Sequence, residues 1–102
     1  RYFKIIIMES PIKHRENDRM GMFYMEGEKG TIAELTYTKN SEGVITIDHT
    51  EVKRQYEGQG KATELVAAAV HFARNNNLKI EPLCPFAEVM FDRYSEYSDV
   101  RA

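Results

Sequence analysis

Gly58 and Gly60 stand in the stretch Gln55-Tyr56-Glu57-Gly58-Gln59-Gly60-Lys61-Ala62, and the chemistry such a stretch supports is phosphate binding. Without a Cβ the backbone takes positive φ readily, and a ligand can come close to the peptide N–H groups. If a helix begins directly after the glycines, its first N–H groups have no intrahelical partner and its positive dipole end faces outward. A diphosphate satisfies both. Lys53, Arg54 and Lys61 bracket the stretch and put positive charge beside it, although a solvated surface carries such side chains too. Glycines that serve only the turn are the simpler alternative, because the motif depends on its context.

Nucleophilic and acid–base chemistry centres on three other residues. Proline at position 85 suits the first position of a helix, and Phe86, Val89, Met90 and Tyr94 recur at helical spacing. Cys84 is then expected at the N-cap, where the dipole and nearby N–H donors favour a nucleophilic thiol. The alternative is a small buried hydrophobe. By simple alternation His49 shares a strand face with Ile45, Ile47 and Glu51. Against a thiol on the neighbouring strand it could act as general base, or it is a packed core histidine. Glu51 offers a second base, or is a solvated charge. Tyr94 and Tyr97 could return a proton to a leaving group, although packing accounts for both. His14 and His71 read as surface groups, and three histidines with one cysteine in no paired spacing predict no metal site.

The elements that must position these residues follow from period and punctuation. A first strand is expected at Ile12–Arg15, a second at Met22–Met25 between Gly21 and Gly27, and a third at Thr31–Thr38 after a Glu26–Gly30 hairpin loop. Asn40–Gly43 is a further turn. Val44–Val52, rich in β-branched residues, leads into the glycine stretch as a fourth strand. Ala62–Asn75 then places Ala62, Leu65, Val66, Ala69, Phe72 and Ala73 on one helical face. Asn75-Asn76-Asn77 can end that helix in a left-handed conformation. A fifth strand at Leu78–Leu83 makes a parallel pair with the fourth through a right-handed crossover. Pro82 lacks a ladder donor, which suits an edge, a bulge or a place where the pair separates.

Gln55-x-x-Gly58-x-Gly60 resembles the Gln/Arg-x-x-Gly-x-Gly/Ala signature of the GNAT acyltransferases, which bind acetyl-coenzyme A. The third glycine and ribose-binding acid of a dinucleotide fold, and the Gly-Lys-Ser/Thr of a triphosphate loop, are not in this pattern. Ile47-Asp48-His49-Thr50-Glu51-Val52 and Leu83-Cys84-Pro85-Phe86-Ala87 are similar to the short, single-domain YjdJ-like branch, and the resemblance runs from about Met22 to Val100. It implies an α/β domain (α+β by some schemes). The sheet would be mixed, mostly antiparallel and twisted, with about five strands and a central parallel pair that splays; one long crossover helix and a short C-terminal helix complete it. It implies acetyl-CoA as co-substrate, with Gln55, Gly58, Gln59, Gly60, Lys61 and Ala62 on the diphosphate and Thr50, Val52 and Lys53 along the pantetheine, which would fill the splay beside Pro82. It further implies acetyl transfer to an amine, small-molecule or peptide, by one of two routes. Either the amine attacks directly and Glu51 or His49 takes its proton, or Cys84 is acetylated first. A non-catalytic acyl-CoA-binding module is the other reading. The chain is too short between its first strands for the two helices with which larger GNAT enzymes build an acceptor pocket, so the acceptor is left open.

A chain of 102 residues with 42% apolar residues fits a single domain, spanning 1–102. A net charge of −2 with no run of basic residues gives no field for nucleic acid. One cysteine makes no internal disulfide, which suits a reducing cytoplasm. No stretch reaches the roughly twenty apolar residues of a membrane span, and Ile5–Met8 is too short for a signal-peptide core. A soluble cytoplasmic protein, monomeric or weakly dimeric, is expected, with positions 1–8 an upstream extension or poorly ordered.

Overall fold

Turn chemistry and apolar alternation build the sheet hairpin by hairpin. The computed structural model describes residues 11–102; the expectations for positions 1–8 lie outside them. Strands β1 (Lys13–Glu16), β2 (Met20–Gly27), β3 (Gly30–Lys39), β4 (Val44–Val52) and β5 (Lys79–Pro82) lie in that order across one sheet. The first four pair antiparallel, and β4 pairs β5 in parallel. Gly30 turns the β2–β3 hairpin at φ 110°, a backbone state that favours glycine.

The long helix α1 (Lys61–Asn75) crosses one face of the sheet, and α2 (Pro85–Arg93) follows β5. Leu65, Val66, Ala69, Val70 and Ala73 of α1 are buried against Leu35 and Tyr37 of β3, Ile45 and Ile47 of β4 and Ile80 of β5. The α1 terminus bears out the asparagine signal. Asn77 has φ 57°, and the Leu78 N–H reaches back to the Ala73 carbonyl at 2.8 Å, a left-handed cap. On α2 the buried residues are Ala87, Met90 and Phe91, whereas Phe86 and Val89 are 37% and 50% exposed. Among the described residues, no helix is long and apolar enough to cross a membrane.

A bulge corrects one sequence expectation. Tyr37 lies opposite Ile47, but its neighbour Thr36 lies opposite His49, so Asp48 is an extra residue in β4. Every side chain beyond it changes face. Thr50 and Val52 now oppose buried Leu35 and Ala33 on the helix side, while His49 and Glu51 oppose Thr36 and Glu34 on the far side. His49 therefore shares a face with Glu51 but not with Ile45 and Ile47.

The parallel pair closes one end of the sheet rather than its centre, and its register runs only from Val44–Lys79 to Ile47–Pro82. Past Ile47, β4 continues to Val52 with no strand on that side, and the chain leaves β5 for α2. The N–H groups of Lys79 and Leu83 donate toward β4, to Gly43 and Ile47. The intervening Pro82 nitrogen thus faces the outer edge, where no ladder donor is needed. That edge is partly covered by the C-terminal segment, whose Ala102 N–H donates to the Ile80 carbonyl at 2.8 Å.

Candidate active site

The β4–α1 connection forms a cradle of exposed N–H groups. Gly58 and Gly60 both have φ 79°, and Gly60 is the N-cap of α1 with no side chain bonded to the first-turn N–H groups. Those groups belong to Lys61, Ala62 and Thr63, which line a hollow of about 390 Å³ together with Gly58, Val52 and Phe86. A Cβ built at either glycine meets nothing within 4 Å. The glycines are therefore required by backbone conformation, and the space above them is open. Of the expected cofactor residues, Val52, Gly58, Gly60, Lys61 and Ala62 meet at this hollow, whereas Thr50, Lys53, Gln55 and Gln59 are not among its lining residues. Phe86 and Thr63 were missed. Phe86 was read only as part of the helical spacing of α2, and the fold brings it to the border of the loop.

Cys84 occupies the N-cap of α2, as the Cys-Pro pair predicts. Its sulfur accepts the Ala87 N–H at 3.5 Å, and its thiol points at Thr50 Oγ1 at 3.9 Å, a long contact even for sulfur. The residue is 7% exposed and belongs to the core cluster. Cys84 thus touches the helix-side face of β4 where the strand becomes unpaired.

His49 is on the other face. Its Nε2 lies 3.2 Å from Glu51 Oε1, and Glu34, directly across from Glu51 on β3, joins them. Each of the three offers a ligand-type atom, all within 4.8 Å of one another. The expected Cys84–His49 pairing is therefore not formed: the bulge puts the imidazole on the opposite side of the sheet from the residues that surround the thiol. Glu34 was invisible to spacing rules because only the register past the bulge brings it to Glu51. Two carboxylates directly opposite repel, and the His49 imidazole meets the Glu51 one. Thr36, opposite His49, donates to Asp48 Oδ1 at 2.6 Å and fixes the bulged residue.

Tyr97 packs on Tyr94 and on Phe91, with ring centroids 5.8 and 5.4 Å apart respectively, and burial raises the Tyr97 hydroxyl pKa. Both serve the packing of the C-terminal segment. The family model for the GCN5-related N-acetyl-transferases matches residues 22–100, which includes the cradle, the unpaired half of β4 and the Cys84 cap. The chain belongs to this family. It is similar over 94% of its length, at 36% identity and a TM-score of 0.73, to the NMR structure of a GCN5-like candidate N-acetyltransferase from Staphylococcus aureus, of which 91% is covered. A candidate GNAT-family acetyltransferase from Staphylococcus aureus subsp. aureus aligns at 25% identity, TM-score 0.56, over 65% of this chain and 57% of that one. An aminoglycoside N-acetyltransferase in complex with CoA shares the fold at 14% identity, TM-score 0.55, over 76% of this chain and 67% of its own. Comparison with curated proteins gave no match. The reaction class is acyl transfer, and the mixed five-stranded sheet expected from the resemblance is observed, with its parallel pair at one end.

Proposed function

We propose that this chain transfers an acetyl group from acetyl-CoA to an amine, and that the amine attacks from the open face of the sheet. The carrying observation is the division of the unpaired half of β4 into two faces. Toward the helices lie Thr50, Val52 and the cradle; toward solvent lie His49, Glu51 and Glu34. CoA would lay its diphosphate on the first-turn N–H groups of α1, with Gln55, Gln59 and Lys61 at its rim. Its pantetheine would run along the bare edge of β4 past Thr50, Val52 and Lys53, against exposed Leu83 and Phe86. Peptide N–H groups on that edge are positioned for the thioester oxyanion.

In this arrangement the amine nitrogen gives up its proton to Glu51 or His49 and attacks the thioester carbonyl. The C–N bond forms, the C–S bond breaks, and CoA leaves as a thiolate that takes up a proton. A second route is favoured by the Ala87 N–H on the Cys84 sulfur: Cys84 attacks first, and the amine then discharges the acetyl-cysteine. Its difficulty is the missing base, since His49 is across the sheet. Intact-mass measurement after incubation with acetyl-CoA separates the routes. Direct transfer predicts no adduct and Cys84→Ala turnover within a few-fold of the parent; an acetyl adduct lost in Cys84→Ala supports the second. Release of CoA thiol with an amine panel tests the proposal as a whole, and saturable CoA binding without release would point to a binding module instead.

A further inference from the structure

The sheet face turned from α1 carries a second hollow, of about 430 Å³, whose lining includes Arg15, Met20, Met22, Thr36, Thr38 and Asp48, together with Glu16, whose carboxylate is bound by Lys39 at 2.8 Å. Among the described residues, no helix covers it. The register explains its layout. Arg15 pairs with Met22, Met22 with Thr36 and Thr36 with His49, so these four stand in one row across β1, β2, β3 and β4, on the same face. Three strand spacings separate the ends of the row, about 14 Å. The hollow reaches from Arg15 to Asp48, the residue next to His49.

The row is electrically polarised. At the β4 end Glu51 and Glu34 gather with His49, and Asp48, which precedes it in the chain, lines the hollow, an environment for a protonated amine. At the β1 end the Arg15 guanidinium lies 5.0 Å from the centroid of the Tyr24 ring and donates to the Tyr24 hydroxyl at 3.0 Å. It makes no ion pair among the described residues; the Glu26 carboxylate lies within electrostatic reach but is bound to its neighbour Lys13 at 2.7 Å. Stacking on the tyrosine holds the guanidinium fork in place and leaves other N–H groups for a bidentate anion. Between the ends the floor is Met22 and the Thr36 side chain.

We infer that the acceptor is an amine that carries an anionic group at the far end of an apolar spacer, and that Arg15 is its specificity-determining residue. The amine sits at His49–Glu51, the spacer crosses Thr36 and Met22, and the anion meets Arg15. This rests on the reading that transfer occurs at the unpaired half of β4. Allowing for the reach of the two end side chains, the amine and anion are separated by on the order of 10 Å, the span of three extended residues of a peptide with a free C-terminus. A polyamine fits the acidic end but would put a second cation against Arg15.

Three probes of equal length test this: 8-aminooctanoate, octylamine and 1,8-diaminooctane, each titrated into the CoA-loaded protein by calorimetry and assayed for acetylation. Binding of 8-aminooctanoate is expected to be at least about tenfold tighter than that of the other two, as a charge-assisted bidentate contact implies. Arg15→Gln is expected to abolish this preference and Arg15→Glu to reverse it toward 1,8-diaminooctane, each with CoA affinity unchanged. Equal binding of the three probes, tightest binding of 1,8-diaminooctane to the parent protein, or a preference that survives Arg15→Glu would overturn the inference. Loss of CoA binding itself would count against the underlying function instead, and the same titrations into the free chain would then still decide the role of Arg15.

Discussion

At the residue scale, the extra Asp48 decides which groups can work together. Without the bulge His49 would point at the helices and toward the Cys84 side of the sheet. With it, imidazole and Glu51 carboxylate meet at 3.2 Å on the open face. A base that takes a proton in the transition state contributes typically 10²–10⁴-fold. Glu51→Gln is therefore expected to lower kcat by about a hundredfold while leaving CoA affinity unchanged, measured by steady-state CoA release and calorimetry. An unchanged kcat would remove Glu51 from the proton path. Cys84 was legible from its proline neighbour, because a cap depends on adjacent residues. The His49 partner was not, because a one-residue slip between strands leaves no mark in alternation and reverses its meaning.

At the element scale, two contacts set the position of β1 and β2. Tyr37 is 1% exposed, and its hydroxyl meets His14 Nε2 at 2.7 Å and Glu16 at 3.2 Å. A Cβ at Gly21, directly opposite, would overlap its ring. The ring is held at both ends, so Gly21→Ala is expected to destabilise by about 1–3 kcal/mol, read from a denaturant melt; a neutral change would mean that Tyr37 moves freely. His14 stacks on Phe23 at a 4.0 Å centroid distance, and burial lowers its pKa below the ordinary value near 6.5, although Glu16 opposes the shift. Below pH 6.5 the unfolded chain thus takes up a proton that the folded chain resists. Stability is expected to fall as pH drops from about 6.5, and His14→Phe is expected to flatten that slope in melts between pH 5 and 7. Glu16, whose pKa is lowered chiefly by its bond from Lys39, adds its own loss at lower pH. Sequence periodicity identified α1 and most of its buried face because one helix on one sheet is a local pattern, although it missed Val70. For α2 the spacing marked the helix but not which residues are buried: Phe86 and Val89 stay exposed while Ala87, Met90 and Phe91 are covered.

At the scale of the whole molecule, the C-terminal segment ties β5 to α1. Arg74 makes two bonds to Asp99, at 2.8 and 2.7 Å, and a third to the Glu96 carbonyl, while Lys79 Nζ donates to the Asp99 carbonyl. These groups are exposed, so the ion pair itself contributes little, and buried Val100 carries the docking. The consequence for the site is a β5 fixed by its outer neighbour while its inner one, β4, runs on past Ile47 paired only with β3. The five strands, the crossover and the glycine loop were all readable from punctuation and period. Where the parallel pair sits in the sheet was not, since strand order is set by what packs on each edge.

The most direct measurement of the central claim is calorimetric titration of acetyl-CoA, with CoA and adenosine diphosphate as comparisons, into the parent protein and Gly60→Glu. The side chain and its negative charge would both oppose a diphosphate on the α1 terminus. The account predicts saturable binding that requires the pantetheine arm and weakens at least about tenfold in Gly60→Glu, a change of about 1.4 kcal/mol or more. Equal affinity in the two proteins would remove the glycine loop from the site, and no binding at millimolar acetyl-CoA would contradict the account.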